Sequence, residues 1–330
     1  MGQQRPHDGG VNAGVVRDTG PFWRALLVCP QCRAALLRHG TLAGCPACGA
    51  RFGADGDTPD LRTGALARRY SLSFSEASWD EADHVLRRVA RDPVGSHTPP
   101  NLPYHVDPAH AAVLAAQPAG RNVLEVGCGG GQCRAFFRAI GHRCVGIDIS
   151  KSRVLPWLRA YGGPDLLCDT HFLPFRDACF DVVYCSAVFE HLACPPLAMA
   201  EMFRVLRPGG LFCGNASFLE PWHDSSFFHL SPLGAVQLLL QAGFEPMNVW
   251  PGRAYSGFDA ISAMAFARPL RPAAGLLGRL SRVLYKAQLA AGRCRRRLLR
   301  TPQKDAVLQA FVVAGATDWI ARRPALGPAA

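Results

Sequence analysis

From residue 122 onward, short apolar runs alternate with longer amphipathic ones. Residues 123–126 predict a strand, followed by a glycine-rich turn and a helical run over 132–140. A second strand is expected at 144–147 with a helix over 151–161, a third at 166–168, and a fourth at 180–186. A helix over 195–206 is expected to stop at Arg207-Pro208-Gly209-Gly210, ahead of a strand at 211–217. Residues 231–242 predict a helix with Ser231 as N-cap, Pro232 at its first position and Gly243 past its end. A sixth strand follows at 244–250, and the apolar run 307–314 predicts a seventh. Strands alternating with helices imply an α/β fold: a seven-stranded, mostly parallel sheet with helices on both faces.

The first third of the chain has a different rhythm. Residues 1–20 are polar, glycine-rich and without an apolar signal core, so a flexible tail is expected. Residues 21–64 form a unit around Cys29-Pro-Gln-Cys32 and Cys45-Pro-Ala-Cys48, two knuckles twelve residues apart. Such pairs can close a tetrahedral zinc site with four thiolates; redox dithiols are the competing reading. Residues 65–118 predict a helical connector or cap, with helical character over 80–91 and a proline-rich break over 93–108. The nine remaining cysteines mostly sit in apolar runs and are expected as buried thiols.

Composition changes the picture in one place. The 330 residues carry a net charge of +11, but the stretch from Arg268 to Lys304 holds eleven Arg and Lys and no acid, so the rest of the chain is balanced. The charge is a local feature within a basic helical insertion at about 255–304, inside a domain spanning 119–330. Within it, 275–300 reads as one or two amphipathic helices, suited to an anionic membrane surface, to nucleic acid or to another acidic partner. No run is apolar enough to span a bilayer. The expectation is a cytoplasmic protein with membrane association left open; oligomeric state is not legible.

The candidate chemistry lies at the strand ends. Gly127-x-Gly129-x-Gly131 follows the first strand, where backbone must turn sharply and approach a ligand. Glu125 stands inside that strand, Asp148 ends the second and Asp169 closes the third. In an open parallel sheet these ends line the ligand crevice. The segments 123–131 (VLEVGCGGG), 145–150 (VGIDIS), 173–175 with 180–183, 190–192 (EHL) and 204–210 (RVLRPGG) resemble, in order, the motifs of class I S-adenosylmethionine (SAM) methyltransferases, closest to the ubiquinone and menaquinone branch. The resemblance implies a Rossmann-like fold. It also implies that Gly127, Gly129 and Gly131 pass under the methionine part of SAM and that Glu125 contacts its end. Asp148 with Ile149 would hold the ribose, Asp169 with Thr170 the adenine, and Ser186 would lie near the sulfonium. Residues 51–62 resemble the tail of zinc-ribbon activator subunits of tRNA methyltransferases, which makes Cys29, Cys32, Cys45 and Cys48 ligands of a structural zinc.

Methyl transfer from a sulfonium needs a base only if the acceptor must lose a proton. His191 and His229 are the candidate bases, each weighed against a structural role. His223 shares a loop with His229 and with Phe218, Trp222, Phe227 and Phe228. The expected activity is methyl transfer to a small-molecule or lipid-linked acceptor. The alternatives are an rRNA or tRNA methyltransferase, or a catalytically silent SAM-fold binding partner. The rRNA guanine-N1 enzymes carry a knuckle ending in Cys and His, whereas this one is all Cys.

Overall fold

The computed structural model describes residues 21–39, 42–64, 76–93, 102–103, 106–154, 156–223, 225–252, 256–302 and 305–325. The expected tail 1–20 and parts of the 65–118 connector lie outside them. The N-terminal unit contributes β1 (Leu37–His39), β2 (Leu42–Gly44), β3 (Arg51–Asp55) and β4 (Thr58–Asp60). Two helices follow, α1 (Glu76–Val89) and α2 (Pro108–Ala115), the latter capped by the Asp107 carboxylate on the Ala109 amide. The alternating part begins with β5 (Asn122–Val126), α3 (Arg134–Ala139), β6 (Arg143–Asp148), β7 (Leu166–Leu167) and β8 (Phe180–Cys185). It continues with α4 (Pro195–Val205), β9 (Leu206–Ser217), α5 (Pro232–Ala242) and β10 (Glu245–Pro251). Last come α6 (Gly257–Met264), α7 (Arg271–Leu298), α8 (Ala306–Phe311) and β11 (Ala316–Arg322).

The central order is β7-β6-β5-β8-β9-β11-β10, with only β11 running against its neighbours. Alternate residues of each strand feed opposite faces. Leu124, Val183, Phe212 and Trp319 join one apolar cluster with α1, α4 and α5, while Val123, Val182, Cys213 and Ile320 join a second with α2 and α3. Helix α5 is bounded as its sequence dictates: Ser231 Oγ accepts from Gly234 N–H, and Gly243 takes the left-handed conformation.

Three expectations are corrected. The run 307–314 is not a strand. Asp305 accepts from the amides of Val307 and Leu308, starting a helix that buries Phe311. The seventh strand is 316–322, hidden from a hydropathy reading by Thr317 and Asp318, polar residues that are buried. The helix expected over 151–161 shrinks to a 3₁₀ turn at Pro156–Tyr161, because Ser150 Oγ accepts from the Ser152 amide and diverts the backbone. The Arg207-Pro-Gly-Gly segment, expected to lie between helix and strand, already belongs to β9.

The N-terminal unit is not a separate bead. Strand β4 pairs in parallel with β7, extending the central sheet to eleven strands. Leu61 N–H donates to Leu167 O at 2.8 Å, and Val28 N–H to Pro174 O at 3.0 Å. Buried Glu201 on α4 binds this seam. Its Oε1 accepts from Arg33 at 2.9 Å, and its Oε2 accepts from the Leu173 amide at 3.0 Å and from Arg204 at 2.8 Å. Helix α1 also packs into the body: Ala82, Val85, Leu86 and Val89 are buried against α5 and β10.

The basic insertion is a hairpin of α6 and α7. Asp259 pairs with Arg282 at 2.9 Å, Ser262 Oγ donates to Ala274 O, and Tyr285 donates to Gln309 O. Only Ala274 and Gly278 of α7 are buried, so its apolar stripe of Leu276, Leu280, Val283 and Leu284 faces outward. Among the described residues no helix is long and apolar enough to cross a membrane.

Removing Glu201 leaves the buried Leu173 amide without its acceptor, while Arg204 keeps Asp177 and the carbonyls of Leu173 and Phe175, so the loss is about 1–3 kcal/mol. Arg33 is 44% exposed and contributes at most about 1 kcal/mol. Chemical denaturation should therefore show a larger loss for Glu201→Ala than for Arg33→Ala.

Candidate active site

The ends of β5, β6, β8 and β9 open on one cavity of about 660 Å³. At the end of β5 the chain turns at Gly127, whose φ is +67°. A Cβ there would collide with the Val188 side chain, so the position demands glycine. Asp148, at the end of β6, reaches back under this turn: Oδ2 accepts from Gly129 N–H at 3.0 Å and Oδ1 from Ser150 N–H at 3.1 Å. Burial raises the Asp148 carboxyl, and these amides oppose the rise. Glu125 lies inside β5, and burial pushes its carboxyl from 4.5 up to about 7.

The cavity lining includes Glu125, Gly127, Gly129, Gln132, Asp148, Ser186, Glu190, His191 and His223. Of the remaining sequence candidates, Gly131, Ile149, Asp169, Thr170 and His229 are not in that lining. Asp169 caps a 3₁₀ turn at Thr170–Phe172. Its Oδ1 accepts from the His171 amide at 2.9 Å and lies 2.6 Å from the His171 ring. Against desolvation, those bonds hold Asp169 below its ordinary value. His229 lies behind His223, with ring centroids 5.9 Å apart, and its Nε2 is 3.3 Å from Ser226 Oγ.

Sequence reasoning missed a polar floor. Asn215 Oδ1 accepts from Ala187 N–H at 2.7 Å and from Ser186 Oγ at 3.2 Å, while its Nδ2 donates to Asp318. Behind Asp318 stands His110, which burial pushes down to about 4 and keeps neutral; its Nε2 is 3.0 Å from Trp319 O. Asn215 and Asp318 sit within strands β9 and β11, and a polar residue inside an apolar run was the one available signal.

The four N-terminal cysteines converge. Cys29 and Cys48 Sγ are 3.7 Å apart, Cys32 and Cys45 Sγ 3.4 Å, and all four lie within 4.8 Å of one another. The amides of Gln31 and Cys32 point at Cys29 Sγ, and those of Ala47 and Cys48 at Cys45 Sγ. Each knuckle is followed by a positive-φ residue, Arg33 at 63° and Gly49 at 75°. The two turns are thus repeats of one another, and the set can hold a metal ion.

Residues 124–214 match the family described as "Methyltransferase domain". A chain named probable S-adenosylmethionine-dependent methyltransferase, from Mycolicibacterium smegmatis, is 35% identical over 159 residues, covering 44% of this chain and 62% of that one. The malonyl-[acyl-carrier protein] O-methyltransferase of Pectobacterium atrosepticum is 33% identical over 103 residues, 30% of this chain and 40% of that one. The chain thus spans less than two thirds of the length of these curated relatives. Among solved structures, phosphoethanolamine N-methyltransferase 2 of Haemonchus contortus is similar at 15% identity and a TM-score of 0.40, covering 74% of this chain and 53% of that one.

The raised carboxyl of Glu125 has a sign that can be measured. Between pH 4.5 and about 7 the unfolded chain has released this proton and the folded one retains it. Its contribution to stability is full below pH 4.5 and is lost as pH rises toward 7. In denaturant titrations without cofactor, Glu125→Gln should gain on the wild type as pH is raised through that window and hold a constant margin above it.

Proposed function

We propose that the chain is a SAM-dependent methyltransferase acting on a small-molecule or lipid-linked acceptor. The observation that carries this reading is the continuity of one cavity, from the turn at Gly127 and Asp148 to the polar wall of Ser186, Glu190, His191 and His223. When bound there, SAM supplies an electrophilic methyl group on a sulfonium.

The chain's own residues fit the cofactor. Two lone-pair positions of Asp148 are taken by amides, and the carboxylate retains others for the ribose hydroxyls. Gln132 Oε1 is buried with no partner among the described residues and lines the same end as Glu125; both suit the methionine ammonium. On the adenine side, Asp169 stands outside the cavity lining, and its Oδ2, which takes part in neither His171 bond, would be the oxygen to accept from the amino group. Ser186, oriented by Asn215, would lie beside the reactive end of the cofactor. The acceptor atom would take that methyl carbon as the carbon–sulfur electron pair returned to sulfur. A proton lost by the acceptor goes to His191 at the wall, with His229 behind it as the second candidate.

Two features support an apolar or lipid-linked acceptor. Trp222, Phe227 and Phe228 are exposed on the loop that carries His223. Ala263 and Met264 of α6 line the cavity, at the root of the hairpin whose outward stripe is apolar and whose flanks are basic. A zinc ion on Cys29, Cys32, Cys45 and Cys48 would be structural, fixing the unit that completes the sheet edge.

Calorimetry should find one SAM per chain, weakened about 10- to 100-fold in Asp148→Ala, the worth of hydrogen bonds to a charged group. Labelled methyl transfer is then screened against soluble and vesicle-embedded acceptors, and a chain that binds no SAM sinks the proposal. Metal analysis of the purified full-length protein should give one zinc per chain, absent from Cys32→Ser.

A further inference from the structure

The acceptor end of the cavity holds a cluster that SAM binding does not use. Glu190 and His191 follow one another on a 3₁₀ turn at Phe189–His191. His223 lies more than thirty positions later, on the loop after β9. Backbone bonds bring the two segments together: the amides of Phe227 and Phe228 both donate to the Glu190 carbonyl, at 2.6 and 3.2 Å. One ligand atom from each of Glu190, His191 and His223 then lies within 4.8 Å of the other two.

Each member carries a mark of preparation. Glu190 is 1% exposed, and its Oε2 is buried with no hydrogen-bond partner among the described residues. Leaving a carboxylate oxygen in that state is costly unless a cation completes it or the carboxyl takes up a proton. Its Oε1 lies 2.8 Å from Ser217 Oγ, which is also 2.7 Å from Glu220 Oε2, so two carboxylates share one hydroxyl proton. His223 Nδ1 is 2.8 Å from the Pro221 carbonyl, which can only accept; the proton therefore sits on Nδ1 and the lone pair on Nε2. Orienting a ligand imidazole through its other nitrogen is the usual support of a metal site. The His191 and His223 rings stand at 85° to one another, 5.6 Å between centroids.

We infer that Glu190, His191 and His223 bind a divalent cation of the first transition row at the acceptor side of the cavity. Two imidazoles and one carboxylate suit Mn²⁺, Fe²⁺ or Co²⁺ and leave coordination positions open. Donors at about 2.1 Å from an ion stand nearer together than the 4.8 Å that bounds these three, and rotation of the two half-buried rings can close the set. Resting on the proposed methyl transfer, this site selects an acceptor with an oxygen to offer, a phenol, enol or carboxylate. With its lone pair on the ion, His191 no longer serves as the base; the ion's charge instead holds that oxygen in place and makes its proton easier to lose.

The probe is Mn²⁺, which competes poorly for thiolates. The full-length chain, with one equivalent of zinc supplied for its cysteines, is titrated with Mn²⁺ while electron paramagnetic resonance reads the free ion. One Mn²⁺ per chain is expected, bound at least about tenfold more weakly in His223→Ala and in Glu190→Gln, and unchanged in Cys32→Ser prepared without added zinc. SAM calorimetry on the same samples keeps the two proposals apart. His223→Ala that binds SAM normally is folded, so its loss of Mn²⁺ is local to the site. Wild type that binds SAM but leaves Mn²⁺ free overturns the metal site alone, as do variants that take up Mn²⁺ like the wild type. Mn²⁺ uptake by a chain that binds no SAM overturns the methyl-transfer reading instead.

Discussion

The turn at the end of β5 is the constraint on which the rest depends. Val188 occupies the volume that any side chain at position 127 would need, and Asp148 grips the backbone two residues on. Strands β5, β6 and β8, which meet there, all fall between residues 122 and 185. Their register is fixed by the sheet, and their side chains sort into two apolar clusters. Held by backbone and by one carboxylate, the turn is already formed at the edge of the cavity, with the Asp148 carboxylate beside it. A site preorganised in this way has little left to order when a cationic ligand arrives.

Much of this was legible. The alternation of short apolar and amphipathic runs predicts the α/β sandwich, and the cap residues Ser231 and Gly243 fix the bounds of α5. The knuckles predict that four thiols meet. What stayed hidden was of two kinds. The strand 316–322 interrupts its apolar pattern with Thr317 and Asp318, whose burial depends on partners, Leu230 and Asn215, about a hundred residues back in the chain. The Glu190–His191–His223 cluster is likewise non-local: the sequence contains the residues, but only the bonds from Phe227 and Phe228 to Glu190 bring them together. Asp169 is the opposite case. Position at a strand end suggested a ligand, yet local competition from His171 ties up one of its oxygens.

The N-terminal unit and the domain after it share more than a linker. Glu201 gathers Arg33 of one and Leu173 and Arg204 of the other around a single buried carboxylate. Arg62, just past β4, donates to the Ile149 carbonyl at 3.1 Å, immediately after Asp148. The N-terminal unit thus touches the residue next to Asp148 through one side-chain hydrogen bond.

The pairing of β4 with β7 has a consequence for how the chain survives its own synthesis. Strand β7 is two residues long and fully buried, and without β4 it would be the bare margin of a parallel sheet. Exposed margins recruit strands from other chains, and proteins commonly blunt them with charge, proline or a cover. Here the cover is made first. The segment that shields the margin precedes it by about a hundred residues, so the guard is already translated when β7 leaves the ribosome.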